Sequence, residues 1–207
     1  MAVTDYTELK AAVADWLLRT DLTSVIPDFI THAENALRRD PRVRRLVTTT
    51  LPVDAQDESL PTDFVQLESL YLDGDTYFGE IDVVSAGMLG DIERNFGQTG
   101  VPMAAAILDQ SVMRFAPVPD ATYTFKMTYW ETVPHLSGSL LSNWLLDDHS
   151  DIYLYASLIE SAPYLRDDQR IALWRSELER RLMELDRNIK RGQYSGSLIR
   201  RSANPIP

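Results

Sequence analysis

The sequence predicts an α+β protein: a helical bundle contributed by the N- and C-terminal segments, an inserted antiparallel β region, and an extended C-terminal tail. Three observations carry this. Apolar residues recur at spacings of three and four before about residue 42 and again after about residue 135, the period of a helix with one buried face. Between those limits the period falls to two and turn dipeptides appear. From Arg187 to Pro207 the chain carries five basic residues and no acidic one, on a protein whose formal net charge is -11, so residues 1–186 carry -16 by subtraction. The expected division is 1–42 for the first helices, 43–134 for the β region, 135–190 for the last helices and 191–207 for the tail.

Thr4 is placed to cap a first helix over residues 5–19, with Tyr6, Leu9, Val13, Trp16 and Leu17 on one stripe. A second helix follows the turn at residues 20–24. Pro27 falls in its first turn, where proline is tolerated, and Ile26, Phe29, Ile30, Ala33 and Leu37 form its buried face. It stops near Asp40–Pro41, because the residue before a proline is steered out of helical backbone. Strands are expected at Val47–Val53, Leu67–Leu72, Met103–Leu108, Val112–Ala116 and Tyr123–Tyr129, with a hairpin at Asp73–Gly74 leading into residues 76–78. Pro117 and Pro119 close the fourth of these. In the last, Tyr123, Phe125, Met127 and Tyr129 share a packing face while Thr124, Lys126 and Thr128 share a wet one.

A polar loop spans residues 134–143. Asp151–Tyr164 is apolar nearly all round, the mark of a helix buried on several sides, and Pro163 helps to terminate it. Asp167 is placed to cap a last helix over 168–190, about 34 Å long at ~1.5 Å per residue. Its stripe is Ile171, Trp174, Leu178, Leu182, Leu185 and Ile189, and Gly192 is placed to end it. Glu177 with Arg181 and Asp186 with Lys190 stand at i,i+4 in the favourable acid-first order, worth ~0.3 kcal/mol each.

Composition narrows the function. With 44% hydrophobic and 25% charged residues the chain is globular and large enough for one sizeable core or two small ones. The absence of cysteine excludes a disulfide framework, a thiolate metal site and a cysteine nucleophile, and is compatible with a reducing cytoplasm. No apolar run approaches the roughly 18 residues that span a bilayer, and the N-terminus lacks the basic and apolar stretches of a signal peptide, so a soluble protein without membrane contact is expected. A sequence pI of about 4.7 argues against wrapping DNA, which needs Lys and Arg on phosphates.

The chemical-looking stretches each have a plainer reading. Asp147-Asp-His-Ser-Asp151 gathers acid, imidazole and hydroxyl, but neighbours on a helix do not face one another, and helix capping explains these residues better. His32, His135 and His149 show no ligand spacing, and Asp73-Gly-Asp-Thr-Tyr-Phe-Gly-Glu80 misplaces the glycine and glutamate of a calcium loop. Gly87, Gly90, Gly97 and Gly100 lack the frame of a phosphate loop and read as loop glycines. Arg38, Arg39, Arg42, Arg44 and Arg45 form a basic cluster without interleaved aromatics. Its first members suit a helix C-terminus, and Arg42, Arg44 and Arg45 are candidates for a contact with a neighbouring subunit. Asp167 and Asp168 are a carboxylate pair whose separation the sequence does not supply. No catalytic, cofactor or metal site is expected.

Four stretches together resemble the head-to-tail adaptor proteins of tailed phages, the tail accessory factors of short-tailed ones: Leu9–Thr23, Leu60-Pro-Thr-Asp-Phe64, Arg114-Phe-Ala-Pro-Val-Pro-Asp120, and Asn143–Asp148 through Ala162–Asp168. Their order and spacing carry the resemblance over about residues 5–190. It implies a virion structural protein at the head–tail junction, assembled in the host cytoplasm. Identical subunits would form a ring, twelve-fold like the portal protein above it, joining the portal to the tail tube or nozzle, with a tail fibre or spike as a further neighbour. DNA would pass through without sequence-specific binding. On physical grounds alone, Leu198, Ile199, Arg200, Arg201 and Ile206 are assigned to gripping the portal, and Trp174, with Arg42, Arg44 and Arg45, to the contact between subunits. Two rival readings stand beside this one: a tail-associated peptidoglycan hydrolase using a carboxylate pair, and a DNA-mimicking inhibitor.

Overall fold

The computed structural model describes residues 3–74, 78–96, 99–109, 111–165 and 170–193. The chain folds as two compact units, one drawn from the residues up to Val43 and from His135 onward, the other from Arg44–Pro134. The fold class is α+β, as expected.

In the helical unit, α1 (Tyr6–Leu17) starts one residue later than expected, because Asp5 and not Thr4 is the cap. The Asp5 carboxylate accepts the N–H groups of Thr7 at 2.7 Å and Glu8 at 2.8 Å. A charged acceptor at the positive end of a helix outcompetes a hydroxyl. Thr4 instead donates its N–H and hydroxyl to the Glu8 carboxylate, both at 2.7 Å, and these bonds hold that carboxyl below its ordinary range. Replacing Asp5 by alanine should cost about 1 kcal/mol, read as a lowered midpoint in urea unfolding followed by helical circular dichroism. The helix ends on Leu18 in the left-handed region (φ 54°), a backbone conformation costly for a side chain with a Cβ, and this leucine is 87% exposed.

Helix α2 (Ile26–Arg39) has the expected proline in its first turn and the expected buried face, and Asp40 turns to extended backbone (ψ 119°) ahead of Pro41. Helix α4 (Trp144–Leu165) begins about two turns before the expected start. Asn143 caps it by accepting the Leu146 N–H at 3.0 Å, and its path breaks at His149 (φ -142°, ψ 52°), so the stretch read as one helix is the part beyond the break. Burial of Leu145, Leu146, Ile152, Tyr153, Leu158 and Ala162 places α4 at the centre, packed against α1, α2 and α5 (Ile171–Gln193). Helix α5 sets Trp174, Leu182 and Leu185 inward, and both expected i,i+4 ion pairs form.

The other unit holds two four-stranded sheets. One runs β1 (Arg45–Val53), β10 (Tyr123–Glu131), β3 (Phe64–Asp73), β4 (Phe78–Glu80), antiparallel throughout. The second runs β2 (Asp57–Ser59), β8 (Val112–Ala116), β7 (Ala104–Ile107), β5 (Asp82–Val83). In β10 the two-residue alternation holds: Phe125, Met127 and Tyr129 are buried, Thr124 and Lys126 exposed. They pack with Leu70, Leu72, Met113 and Phe115 in one core.

Two features depart from the antiparallel β region of the sequence reading. A helix, α3 (Ala86–Phe96), connects β5 to β7 as a parallel pair, and β6 (Thr99–Gly100) pairs in parallel with β9 (Val118–Pro119). Gly87 and Gly90, read as loop glycines, lie inside α3. Each glycine costs helix propensity, which hid the helix. Packing overrides that cost, since Leu89 is buried against Ala104, Ala106 and Ala116, whose small side chains leave it a seat. Ser85 starts the helix by accepting the Leu89 N–H at 2.9 Å through its carbonyl.

Candidate assembly surfaces

The helical unit is pinned by a buried acid. Glu34 lies on the apolar face of α2 and is 2% exposed. One carboxylate oxygen accepts the Leu136 N–H at 2.8 Å and the Tyr153 hydroxyl at 3.2 Å, and the other meets His135 Nδ1 at 2.8 Å. Asn143 Nδ2 donates to the Tyr153 oxygen at 2.7 Å. Burial, then the neighbouring Glu34 charge, pushes the Tyr153 phenol up, so it stays a neutral donor. A charge out of water is tolerable only when its lone pairs are taken up in this way. The network therefore fixes where the chain returns at residues 135 and 136 relative to α2 and α4.

The basic cluster divides. Arg38 and Arg39 sit in the last turn of α2, as the helix-end reading expects. Arg42 binds Asp40 at 2.7 Å and Glu179 at 2.6 Å, tying the end of α2 to α5, and these acids raise its pKa. Arg45 pairs at 2.8 Å with Glu131, its register partner across β1 and β10. Burial pushes the Glu131 carboxyl up, against the pull of Arg45, and Asp63 nearby adds to the rise. Asp63 also accepts the Tyr129 hydroxyl at 3.2 Å, and burial with that charge pushes Tyr129 up to about 12. Arg44 is half-buried, its Nε without a hydrogen-bond partner among the described residues.

Trp174, expected as an apolar side chain left bare for a neighbouring subunit, is 4% exposed, with the Arg170 guanidinium 5.1 Å from its ring centroid. Its place on the stripe facing α4 accounts for this, and the bare apolar positions of α5 are Leu173 and Met183. Trp16 is half-exposed, edge-on to Tyr155 at 5.6 Å. The assigned tail residues Leu198, Ile199, Arg200, Arg201 and Ile206, and the Asp167–Asp168 pair, lie outside the described residues.

In the β unit, the edge of β3, with the segment from Glu80 to Val83 and with Ile107 and Asp109, encloses an open groove of about 700 Å³. Glu68, Glu80, Asp82 and Asp109 line it, and among the described residues no basic side chain does. Sequence reasoning missed both this groove and Glu34. Glu34 could have been suspected from its place between Ala33 and Leu37 on a buried stripe, whereas the groove depends on how two sheets meet. Among the described residues no group of three or more His, Cys, Asp or Glu could hold a metal ion, and no helix is long and apolar enough to cross a membrane.

The family model described as SU10 adaptor protein matches residues 4–201, which takes in both units and almost the whole chain. No curated protein matches it.

Proposed function

The chain belongs to the SU10 adaptor protein family, the family of a phage head–tail adaptor, and on that premise we propose how it acts in the virion. Copies of the chain form a closed ring, twelve-fold like the portal, that joins the portal to the tail tube or nozzle and lines the DNA exit channel. The β unit faces the next tail component or a fibre, and the tail grips the portal through Leu198, Ile199, Arg200, Arg201 and Ile206. The protein has no catalytic role. The match over residues 4–201 carries this reading, because it embraces both units and not a fragment of either.

Physical features support it. A body of charge -16 over residues 1–186 repels DNA and so lets it slide past without capture. A ring needs one surface of each subunit to meet a different surface of the next, and Leu173, Met183, Trp16 and Leu18 offer exposed apolar area for that. The segment after Gln193 could reach roughly 45 Å at about 3.3 Å per residue. Ordering it costs entropy, so repeated copies gain once one has docked.

Negative-stain images of the protein mixed with its portal should show a ring appended to the portal, and free portals throughout would refute the assignment. Deleting residues 194–207 should leave the circular dichroism unchanged and abolish co-sedimentation with the portal. Undiminished co-sedimentation would remove the portal from the tail's role.

A further inference from the structure

The β-unit groove has the character of a place for an extended chain. Strand β4 pairs with β3 only at residues 71–73, and β10 occupies the other side of β3, so the stretch 64–69 offers an edge with no strand partner among the described residues. Strand β5, on the facing side of the groove, is the outer strand of its sheet. Unpaired N–H and C=O groups on such edges are templates for another strand. Leu67 and Val83 supply apolar wall, and Glu68, Glu80, Asp82 and Asp109 set its charge. Acid on an edge wards off neutral strands and leaves a basic one as the matching occupant.

Beyond Gln193 the sequence holds one segment of that chemistry. Tyr194-Ser-Gly-Ser-Leu-Ile-Arg-Arg201 has two apolar and two basic residues in succession, no acid, and small residues ahead of them. We infer that the groove of one copy receives residues 194–201 of a second copy, held by backbone pairing at the β3 edge and by Arg200 against the groove carboxylates. Successive side chains of a strand point to opposite faces, so with Arg200 set toward the groove Leu198 shares its side, while Ile199 and Arg201 lie outward. The outward face and the Ile206 end remain for the portal. This deepens the proposed ring and rests on it: a segment passed to the next copy is a head-to-tail contact, the kind that closes a ring.

The chain has no cysteine, so an introduced pair reports on itself alone. Full-length Asp82→Cys and Arg200→Cys chains, mixed free and with portal and then oxidised, should give a disulfide-linked heterodimer. Its yield should exceed that of a Glu184→Cys with Arg200→Cys control by about tenfold, reflecting the effective concentration of a docked segment. Adding Glu68→Lys and Glu80→Lys to the Asp82→Cys chain should return the yield to the control. Rings on the portal without a link above control would overturn the inference while leaving the adaptor role standing; absence of rings with a link in free chains would do the reverse. A chain carrying both Asp82→Cys and Arg200→Cys that closes only on itself would overturn the second copy as the donor, as would the absence of any link in either mixture.

Discussion

Glu34→Ala is expected to cost the helical unit about 3 kcal/mol, because the Leu136 N–H and the Tyr153 hydroxyl lose their acceptor inside the protein, at about 1–3 kcal/mol for each unsatisfied group. His135 adds little, since its side chain is 46% exposed and can turn to water. Glu34→Gln retains an acceptor for Leu136 and should cost about 1 kcal/mol, the ordinary net worth of a hydrogen bond. Urea unfolding followed at 222 nm, where helix dominates, would read both variants. Equal losses for Ala and Gln would mean that charge and not hydrogen bonding holds the site. No loss for either would remove Glu34 from its place as the pin of the unit.

Phe125→Ala should be the most damaging single change in the β unit. The ring is fully buried, lies 5.1 Å from Phe115 at a tilt of 42°, and is walled by the central strands of both sheets. Sheet frameworks do not close over a lost benzyl group, so transfer and cavity terms add to about 3–5 kcal/mol. On β10, whose partners β1 and β3 flank it on both sides, the change strikes the middle of the sheet. A tryptophan probe is already present, since Trp130 on the same strand donates to Glu68 at 3.2 Å and should report the unfolding of this unit. Thr124→Ala, on the wet face of the same strand, should stay within about 0.5 kcal/mol and so separates burial from strand propensity.

The periodic elements were legible in the sequence because one physical rule dominated each. In α2 the stripe from Ile26 to Leu37 and the Asp40–Pro41 stop agree with each other, and in β10 the alternation from Tyr123 to Tyr129 leaves one choice of face. Where two rules competed, the structure followed the other one. Asp5 took the cap from Thr4, and the seat made by Ala104, Ala106 and Ala116 turned a glycine-broken stretch into α3. Arg42, Arg45 and Trp174 show the limit for surfaces. Their residue types suit an interface, yet Glu179, Glu131 and the inward face of α5 satisfy them within the chain, and those partners are up to 137 residues away. No window of sequence contains such a contact. The groove beside β3 is of the same kind, being defined by strands β3, β5 and β7 that only the folded sheets bring together.

The rung that joins Arg45 to Glu131 has a bearing on how the molecule is made. The two ends of the β unit are paired with each other at this rung, so the unit can close as soon as β10 has emerged from the ribosome. Helices α1 and α2 have by then been waiting with bare apolar faces for their central partner α4, which begins about a hundred residues after α2 ends; at about 5–20 residues per second that is an interval of roughly 5–20 s. During translation the nascent helices are thus the part in need of a holding chaperone, and the last-made third of the polypeptide completes the first-made.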